Sequence, residues 1–442
     1  MLPDFIDRRR ELVCWMLVAA LAALGFWWAA KTRGPQEPTD TRQTITWLVT
    51  VGSLRDLFEA QVAAFEKENP DLRVSIVWVP ESEYQVKFKT LAAAGQSPDV
   101  FLAGDVWIAA LRPFLLDLAP LVARDATEVN FNDYPAAVRT AITDQDRVLL
   151  LPSTMNLSLL YYNVALFEEA GLAPPDASWT WDDFLRAGDA FTAIREKTGR
   201  RVYGAGVEEG WWGEWLIYVR QAGGQVFSAD GRRCLLDSPE SIRGITFYHD
   251  KVARGISPRR GYGVRNGFIN GSYAMLIGGH VNQWALYNLA PALRWDIAPL
   301  PIGPGGRAGG EIAIEGYGIA RDTPRAEAAW RLVKFLTRPD AVRDHVARGA
   351  LPVRESVARE TFFDRPRVQP PRNTDAILIQ LEEARPIPRL SDFIEVMLKI
   401  VQPEIDLMME GRRTPEEAAR RAAAAANAHL DTLAASRTPP AP

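Results

Sequence analysis

Residues 45–103, ITWLVTVGSLRDLFEAQVAAFEKENPDLRVSIVWVPESEYQVKFKTLAAAGQSPDVFLA, decide the fold class of this chain. Three short apolar runs that are typical of strands alternate here with two runs whose apolar residues recur at helical spacing. The strand runs are ITWLVTV (45–51), RVSIVWV (73–79) and PDVFLA (98–103). A strand–helix–strand–helix–strand order predicts an α/β fold with a parallel sheet and right-handed crossovers.

Polar and aromatic residues directly follow the carboxyl ends of these three predicted strands. Ser53 comes after the first strand, Glu83 after the second, and Asp105 with Trp107 after the third. In open parallel sheets, ligands bind beyond the carboxyl ends of the strands. We therefore expect these four residues to line a ligand-binding site.

The composition is that of an ordinary globular protein, and 442 residues are enough for two or three domains. Lys and Arg number 51 against 55 Asp and Glu, and the net charge of −4 offers no basic excess for binding nucleic acid. The two cysteines and four scattered histidines do not form a metal-ligand pattern. The sequence also lacks a G-x-S-x-G or Walker motif, so we expect neither an enzyme nor a bound cofactor.

The amino-terminal segment predicts export from the cytoplasm. Three arginines (8–10) precede residues 12–30, LVCWMLVAALAALGFWWAA, which carry no charge. A helix of this length spans about 28 Å, close to the hydrocarbon thickness of a bilayer. Trp28 would occupy the −3 position of a cleavage site, which favours an uncleaved membrane anchor over the alternative, a removed signal peptide. We expect an extracytoplasmic protein tethered by residues 12–30, with 31–43 as a linker.

Two further strands are predicted near the middle of the chain. VLLLP (148–152) and LSLLYYN (157–163) are rich in apolar residues, and residues 153–156 would join them. Thr180 stands where a helix N-cap would be, ahead of an amphipathic run. EGYGIA (315–320) predicts another strand later in the chain.

The order of these landmarks resembles that of the extracellular solute-binding proteins of ABC importers, in particular the maltose-binding-like branch that binds carbohydrates. The resemblance covers about residues 44–431. The motifs that carry it are FEKENPDLRVSIVWV (65–79), QSPDVFLA (96–103), LPSTMNLSLLYYNVALFEEAGL (151–172), SWTWDDF (178–184), FINGSYAMLIGG (268–279) and GALPVR (349–354).

The resemblance implies a two-lobe periplasmic-binding-protein fold of type II, here preceded by a transmembrane helix. The chain would cross between the lobes near Leu151, Ala298 and Leu351. The implied segments are 44–150 and 298–348 for the first lobe, 151–297 and 349–435 for the second lobe, and 436–442 for a disordered tail. The family closes around its solute by a hinge motion, so the implied function is carbohydrate capture and delivery to an ABC permease by a monomer.

A sugar site needs aromatic faces for the C–H surfaces and polar groups for the hydroxyls. The resemblance and the strand ends together place several candidates in the cleft. Besides the four residues above, these are Asn156, Trp211, Trp212, His280, Trp284, Glu311 and Tyr317. Packing of Trp212 and Trp215 in the core, with only Trp211 at a surface, remains an alternative. Asp99 resembles a structural aspartate of the family.

Two other functions remain open from the sequence. One is a membrane-anchored sensory or interaction domain that reuses the solute-binding fold. The other is a transport protein for a non-sugar solute such as glycerol phosphate or a polyamine. Glycoside hydrolysis is a weaker possibility, because paired carboxylates such as Glu81 and Glu83 are common in sequences of this composition.

Overall fold

The structure is a computed structural model that describes residues 41–437, except 53, 208–209, 211, 260–262, 280, 308, 365–369, 389 and 391. The side chains of residues 81, 82, 105, 106 and 281–284 are likewise not described. The chain divides at Gln43 into two units, and the fold reported below is that of Thr44–Pro442. No helix within the described ranges is long and apolar enough to span a membrane. The predicted anchor, 12–30, lies outside those ranges.

A five-stranded sheet forms the first lobe, with the strand order β2-β1-β3-β11-β6. β1 and β3 are parallel, as predicted, whereas β11 runs antiparallel to both β3 and β6, so the sheet is mixed. Its strands are β1 (Gln43–Thr50), β2 (Leu72–Val79), β3 (Val100–Gly104), β6 (Leu151–Leu157) and β11 (Ile312–Ile319). A short hairpin, β4 (Thr143–Asp144) with β5 (Arg147–Val148), stands apart from it.

A four-stranded sheet forms the second lobe, with the order β10-β7-β9-β8. β7 is antiparallel to both β9 and β10, and β8 is parallel to β9. Its strands are β7 (Leu159–Asn163), β8 (Tyr203–Ala205), β9 (Tyr273–Gly278) and β10 (Trp295–Ala298).

Helices pack on both sheets and supply about half of the buried apolar side chains. From the amino end to the middle of the chain they are α1 (Arg55–Glu68), α2 (Glu81–Ala93), α3 (Asp105–Leu111), α4 (Ala119–Arg124), α5 (Ala126–Val129), α6 (Ala136–Ile142), α7 (Val164–Ala170), α8 (Trp181–Thr198), α9 (Gly213–Gln221), α10 (Pro239–Ala253), α11 (Val264–Ile269) and α12 (Val281–Leu289). The remaining ones are α13 (Ala326–Thr337), α14 (Pro339–Val346), α15 (Glu355–Ala358), α16 (Asp375–Glu383), α17 (Phe393–Glu395), α18 (Gln402–Met409) and α19 (Pro415–Arg437).

Two local predictions are confirmed by side-chain hydrogen bonds. The Thr180 hydroxyl accepts from the Asp183 N–H at 3.3 Å, and the Asp183 carboxylate accepts from the Thr180 N–H at 2.8 Å, which makes a capping box at the start of α8. Asp99 is fully buried and accepts from the backbone and side chain of Thr46 and from Arg325. Burial alone would raise the pKa of Asp99, but hydrogen bonds from Thr323 and these partners hold it below its usual range.

Two details differ from the prediction. Residues 153–156 are not a connection but part of β6, because β11 pairs with them at Thr154 and Asn156. A crossing between the lobes was predicted near Leu351. Leu351 forms a bridge with Met155 of β6, so the chain still lies beside the first sheet at this residue. Apolar runs show strand propensity, but pairing with a strand that lies over 150 residues away is a tertiary effect.

Candidate functional site

Three chain segments lie side by side where the two lobes join. Ser158 is the single residue between β6 of the first sheet and β7 of the second, and its N–H donates to the Glu311 carbonyl at 3.2 Å. The Arg385 N–H donates to the Gly310 carbonyl at 3.0 Å, and the Ile312 N–H donates to the Arg385 carbonyl at 3.3 Å. This junction is held by backbone hydrogen bonds, which restrain the segments while leaving each lobe its own sheet.

The strand directions bring one edge of each sheet to this junction. Leu157, at the carboxyl end of β6, pairs with Ile312, and Leu159 of β7 pairs with Gly278 at the carboxyl end of β9. The carboxyl ends of β3 and β6 therefore lie on the same side as the junction, and so do those of β8, β9 and β10 in the second lobe. This is the place where open α/β sheets bind ligands.

Asn156 of β6 and Gly279 beyond β9 lie in close contact across the two edges. A Cβ built on Gly279 would lie 2.2 Å from Oδ1 of Asn156, a distance that real Cβ atoms do not show. The glycine is required there because its bare backbone lets the half-buried Asn156 amide reach across from β6. The hydroxyl of Tyr161 also lies 3.4 Å from the Gly279 carbonyl.

An aromatic pair lies at the first lobe's edge. Tyr84 of α2 is fully buried, and its hydroxyl lies 2.6 Å from the Leu102 carbonyl and 3.0 Å from the Leu48 carbonyl. Trp107 of α3 stacks on the Tyr84 ring, with centroids 5.1 Å apart and planes inclined by 21°. Trp107 remains half-exposed, so the pair presents an aromatic surface that is supported from behind.

Electrostatics at the junction involve Glu311 and Arg220. Burial raises the pKa of the half-buried Glu311, and the guanidinium of Arg220 acts in the opposite sense. Arg220 of α9 donates to the carbonyl of Arg385 at 3.2 Å and to that of Pro386 at 2.8 Å. Burial lowers the pKa of Arg220, while Glu311 opposes that shift. Glu311 of the junction and Arg220 of α9 thus place opposite charges in the same region.

The predicted site residues fall into three groups. Trp107, Asn156 and Glu311 lie at the junction edges with partly exposed side chains, and Glu83 is exposed on α2 beside Tyr84. Trp212 and Tyr317 lie in the interior. The others fall outside the description: Ser53, Trp211 and His280 entirely, and Asp105 and Trp284 as side chains.

Trp212 and Tyr317 differ from the cleft positions expected of them. Trp212 is fully buried and packs edge to face on Phe393, with centroids 5.3 Å apart. Tyr317 lies within β11, pairs with Leu102 and packs against Trp47 in the core of the first lobe. Neither ring offers a free face in this conformation, because the surrounding helices and strands cover them.

Sequence reasoning missed Tyr84, Gly279 and Arg220. Tyr84 is a buried residue of α2, and an aromatic residue in a predicted helix indicates packing but not support for a particular neighbour. The Gly-Gly pair at the end of β9 was a usable signal, since glycine in a strand end often marks close backbone approach. Arg220 gave no signal, because its contacts are backbone carbonyls more than 160 residues away.

The described site residues can bind a solute by stacking and hydrogen bonding. Among the residues that the structure describes, no group of three or more His, Cys, Asp or Glu is placed to hold a metal ion. The amide of Asn156 can donate and accept, and the carboxyl of Glu311 can accept from hydroxyls.

The chain was compared with models of known protein families and with solved structures. The model described as "Bacterial extracellular solute-binding protein" matches residues 52–343. The chain belongs to this family. Its fold is that of the maltose-binding-like members, so the resemblance predicted from the sequence is confirmed. Proteins of this family are extracytoplasmic binding proteins of ABC transporters.

Three relatives illustrate the match. The Listeria monocytogenes protein Lmo0181, solved with cycloalternan, is 23% identical with a TM-score of 0.76, covering 88% of this chain and 99% of that one. Maltose-bound MalE3 of T. maritima is 25% identical with a TM-score of 0.72, covering 88% and 99%. A Sinorhizobium fredii protein named "Probable amino-acid ABC transporter periplasmic-binding protein y4oP" is 24% identical over 91% of this chain and 94% of its own length.

Proposed function

We propose that this solute-binding protein captures a carbohydrate at the junction of its lobes and delivers it to an ABC permease. The observation that carries the proposal is the partly exposed Trp107 ring, stacked on the buried Tyr84 at the edge of the first sheet on the junction side. A sugar ring has an apolar C–H face that packs on such a surface. The maltose and cycloalternan complexes of its structural neighbours support the same solute class.

Polar groups for the sugar hydroxyls come from both lobes and from the junction. Asn156 of the first lobe touches Gly279 of the second, and Glu311 lies on the segment between β10 and β11. We propose that Glu83, Asp105 and Ser53 add contacts from the first lobe, and Trp211, His280 and Trp284 from the second. Hydrogen bonds to a charged partner contribute about 1.5–3 kcal/mol each.

The binding signal in this proposal is closure of the two lobes. We assign the crossings to Ser158, to residues 299–311 and to Ala384–Ile387, where the junction hydrogen bonds lie. A solute that contacts both lobes only in the closed form shifts the equilibrium by its differential affinity. Moving the closed population from about 1% to about 99% requires about 5.5 kcal/mol of preference.

A ligand screen with two readouts tests the proposal. Thermal unfolding is followed with a carbohydrate library, an amino-acid set, glycerol phosphate and polyamines. A ligand at 100 times its Kd stabilises the folded state by about 2.7 kcal/mol. We expect a carbohydrate to raise the melting temperature, to reduce the radius of gyration in small-angle scattering and to be recovered unchanged. Stabilisation by amino acids alone would show that the solute is an amino acid and not a carbohydrate. Chemical conversion of the sugar would show that the protein is a hydrolase and not a binding protein.

We also propose that residues 12–30 tether the protein to the membrane beside its permease. Their length and lack of charge support an anchor. Carbonate washing of membranes should leave the full-length protein in the pellet. A mature amino terminus beyond Ala30, measured by mass spectrometry, would contradict the tether without affecting the solute-binding proposal.

A further inference from the structure

Lys251 is a fully buried cation in the second lobe. It lies on α10, has no exposed surface, and its ammonium forms an ion pair with the carboxylate of Glu214, which is 2% exposed. The ammonium also donates to the Gly206 carbonyl at 3.2 Å. The rings of Tyr218 and Tyr248 flank it, with centroids 5.3 Å and 5.2 Å from Nζ.

The Glu214 carboxylate is held from the other side by Tyr218. The Tyr218 hydroxyl donates to Oε1 of Glu214 at 3.0 Å. Burial and the neighbouring carboxylate raise the pKa of Tyr218, so its hydroxyl keeps its proton and remains a donor. One carboxylate oxygen therefore receives both a phenol and an ammonium, which fixes the Glu214 side chain in a single position.

The position of this ion pair is not explained by stability alone. Apolar residues of similar volume often stabilise a core as well as a buried ion pair does, because removing two charges from water is costly. α9 and α10 also carry fully buried apolar side chains, among them Trp215, Leu216 and Ile245. An apolar pair could not donate a hydrogen bond to a backbone carbonyl, whereas the Lys251 ammonium donates one to the Gly206 carbonyl.

The two groups that Lys251 joins are the two ends of one connection. Gly206 directly follows β8, and Glu214 lies in the first turn of α9. Ser257 also connects β8 to the carboxyl end of α10. Its hydroxyl donates to the Ala205 carbonyl, and its N–H donates to the Lys251 carbonyl. The ammonium thus sets the distance between the end of the strand and the start of the helix.

Gly206, at the end of β8, lies at the edge of the second lobe that meets the junction. β8 runs parallel to β9, so its carboxyl end lies on the same side as Gly279, which meets Asn156 of the first lobe. A Cβ on Gly206 would lie 2.9 Å from the Tyr273 ring, so the backbone leaves the strand in close contact with β9. A displacement of Gly206 would therefore move one wall of the proposed cleft.

We propose that Lys251 is a positioning residue for solute binding, which holds Gly206 at the end of β8 and Glu214 at the start of α9 at the distance that the closed cleft requires. This inference rests on the proposed function. The solute class it concerns is the carbohydrate proposed above. Lys251 is itself buried and acts through Gly206 and Glu214 instead of through contact with the solute.

The test compares two double variants in the full-length chain. Lys251→Met with Glu214→Gln removes the ammonium without leaving an unpaired buried charge, and the amide oxygen that replaces the carboxylate can still accept from Tyr218. The matched control is Arg354→Met with Asp133→Asn. That pair is also largely buried, 2% and 8% exposed and 3.2 Å apart, but it lies in the first lobe, where its arginine donates to the Thr337 and Val129 carbonyls and has no contact with Gly206 or Glu214.

Two measurements are made on each variant. Maltose and maltotriose titrations give the affinity, and amide hydrogen exchange gives the protection of residues 206–214 without ligand. For the Lys251 variant we expect at least a tenfold loss of affinity and at least a tenfold faster exchange in 206–214. For the control we expect a lower melting temperature with affinity within twofold and unchanged exchange in 206–214.

The outcomes separate the inference from the proposed function. Unchanged affinity and exchange in the Lys251 variant would overturn the positioning role. If the unaltered protein binds neither sugar, the proposed function fails for these solutes, and the exchange result alone decides whether Lys251 positions the connection. Should the double variant not fold, Lys251→Arg keeps the charge but changes the donor geometry. If the Lys251→Arg variant folds and its sugar affinity falls at least threefold, the positioning role is supported. If its affinity is undiminished, the positioning role is overturned.

Discussion

Trp107 and Trp212 make an instructive pair, one in each lobe. Each lies a few residues after a strand end, after β3 and β8 respectively, and near the start of a helix. Trp107 is half-exposed on a buried tyrosine, whereas Trp212 is fully buried against Phe393. The same residue in the same kind of position is thus partly exposed in one lobe and fills the core in the other.

The difference comes from what lies behind each ring. Tyr84 occupies the space below Trp107, and its hydroxyl is bound by carbonyls of two strands, so Trp107 has no room to turn inward. Trp212 instead packs edge to face on Phe393, which lies 181 residues farther along the chain (393 minus 212) in α17. Exposure of an aromatic residue at a strand end is therefore set by distant packing, and mutation should separate the two roles.

The largest effect is expected for Trp212→Ala. Removing a fully buried tryptophan leaves a cavity, and such truncations cost about 3–5 kcal/mol of unfolding free energy. Because the ring does not face the cleft, sugar affinity of the folded fraction should change by less than about threefold. Chemical denaturation and titration calorimetry on the same preparation check both values. A large loss of sugar affinity with little change in stability would instead indicate that Trp212 contacts the sugar in the cleft.

The second largest effect is expected from low pH, which should lower the stability of the first lobe through His345. His345 of the first lobe is buried beside Phe58, and burial, aided by Arg348, lowers its pKa from 6.5 to about 4. The folded state therefore favours the neutral form, while the unfolded chain takes up the proton at its ordinary pKa. The stabilisation is complete above about pH 6.5 and is lost as the pH falls towards 4, by about 3 kcal/mol.

The measurement is unfolding free energy against pH for the unaltered protein and for His345→Leu. The variant should lose the pH dependence between 6.5 and 4, and amide exchange in the original protein should accelerate first in α1 and α14. His249, a partly exposed histidine of the second lobe, serves as the control through His249→Gln. Equal pH dependence in all three proteins would contradict the assignment to His345.

Trp107→Ala should lower affinity more than stability. Burying an aromatic side chain against a ligand contributes about 1.5–3 kcal/mol, which corresponds to a Kd raised about tenfold to a hundredfold. The control is Trp179→Ala, since Trp179 is equally half-buried but packs on Phe167 in the second lobe. Calorimetric titration with the carbohydrate from the screen should show the loss for Trp107 alone. Equal losses at both positions would remove the stacking role.

Much of the fold was predictable from local pattern, and the site much less so. The runs at 45–51 and 73–79, the Thr180 cap and the role of Asp99 follow from propensity and short-range chemistry, and the structure confirms them. Residues 153–156 were not predictable as a strand, because only pairing with β11 makes them one. Site residues depend on which ring or amide meets which distant neighbour, as Asn156 meets Gly279 across 123 positions (279 minus 156).

The smallest effect is expected for Tyr84→Phe, which tests what holds the aromatic pair in place. The phenylalanine ring still supports Trp107, so affinity should fall by less than about threefold. The lost hydroxyl leaves the Leu48 and Leu102 carbonyls with one donor fewer, which should cost about 1–2 kcal/mol of unfolding free energy. Tyr84→Ala is the matched comparison, because it removes the ring as well and should approach the affinity loss of Trp107→Ala. If the phenylalanine variant loses as much affinity as the alanine variant, the hydroxyl bonds, and not the stacked ring, keep Trp107 turned towards the solute.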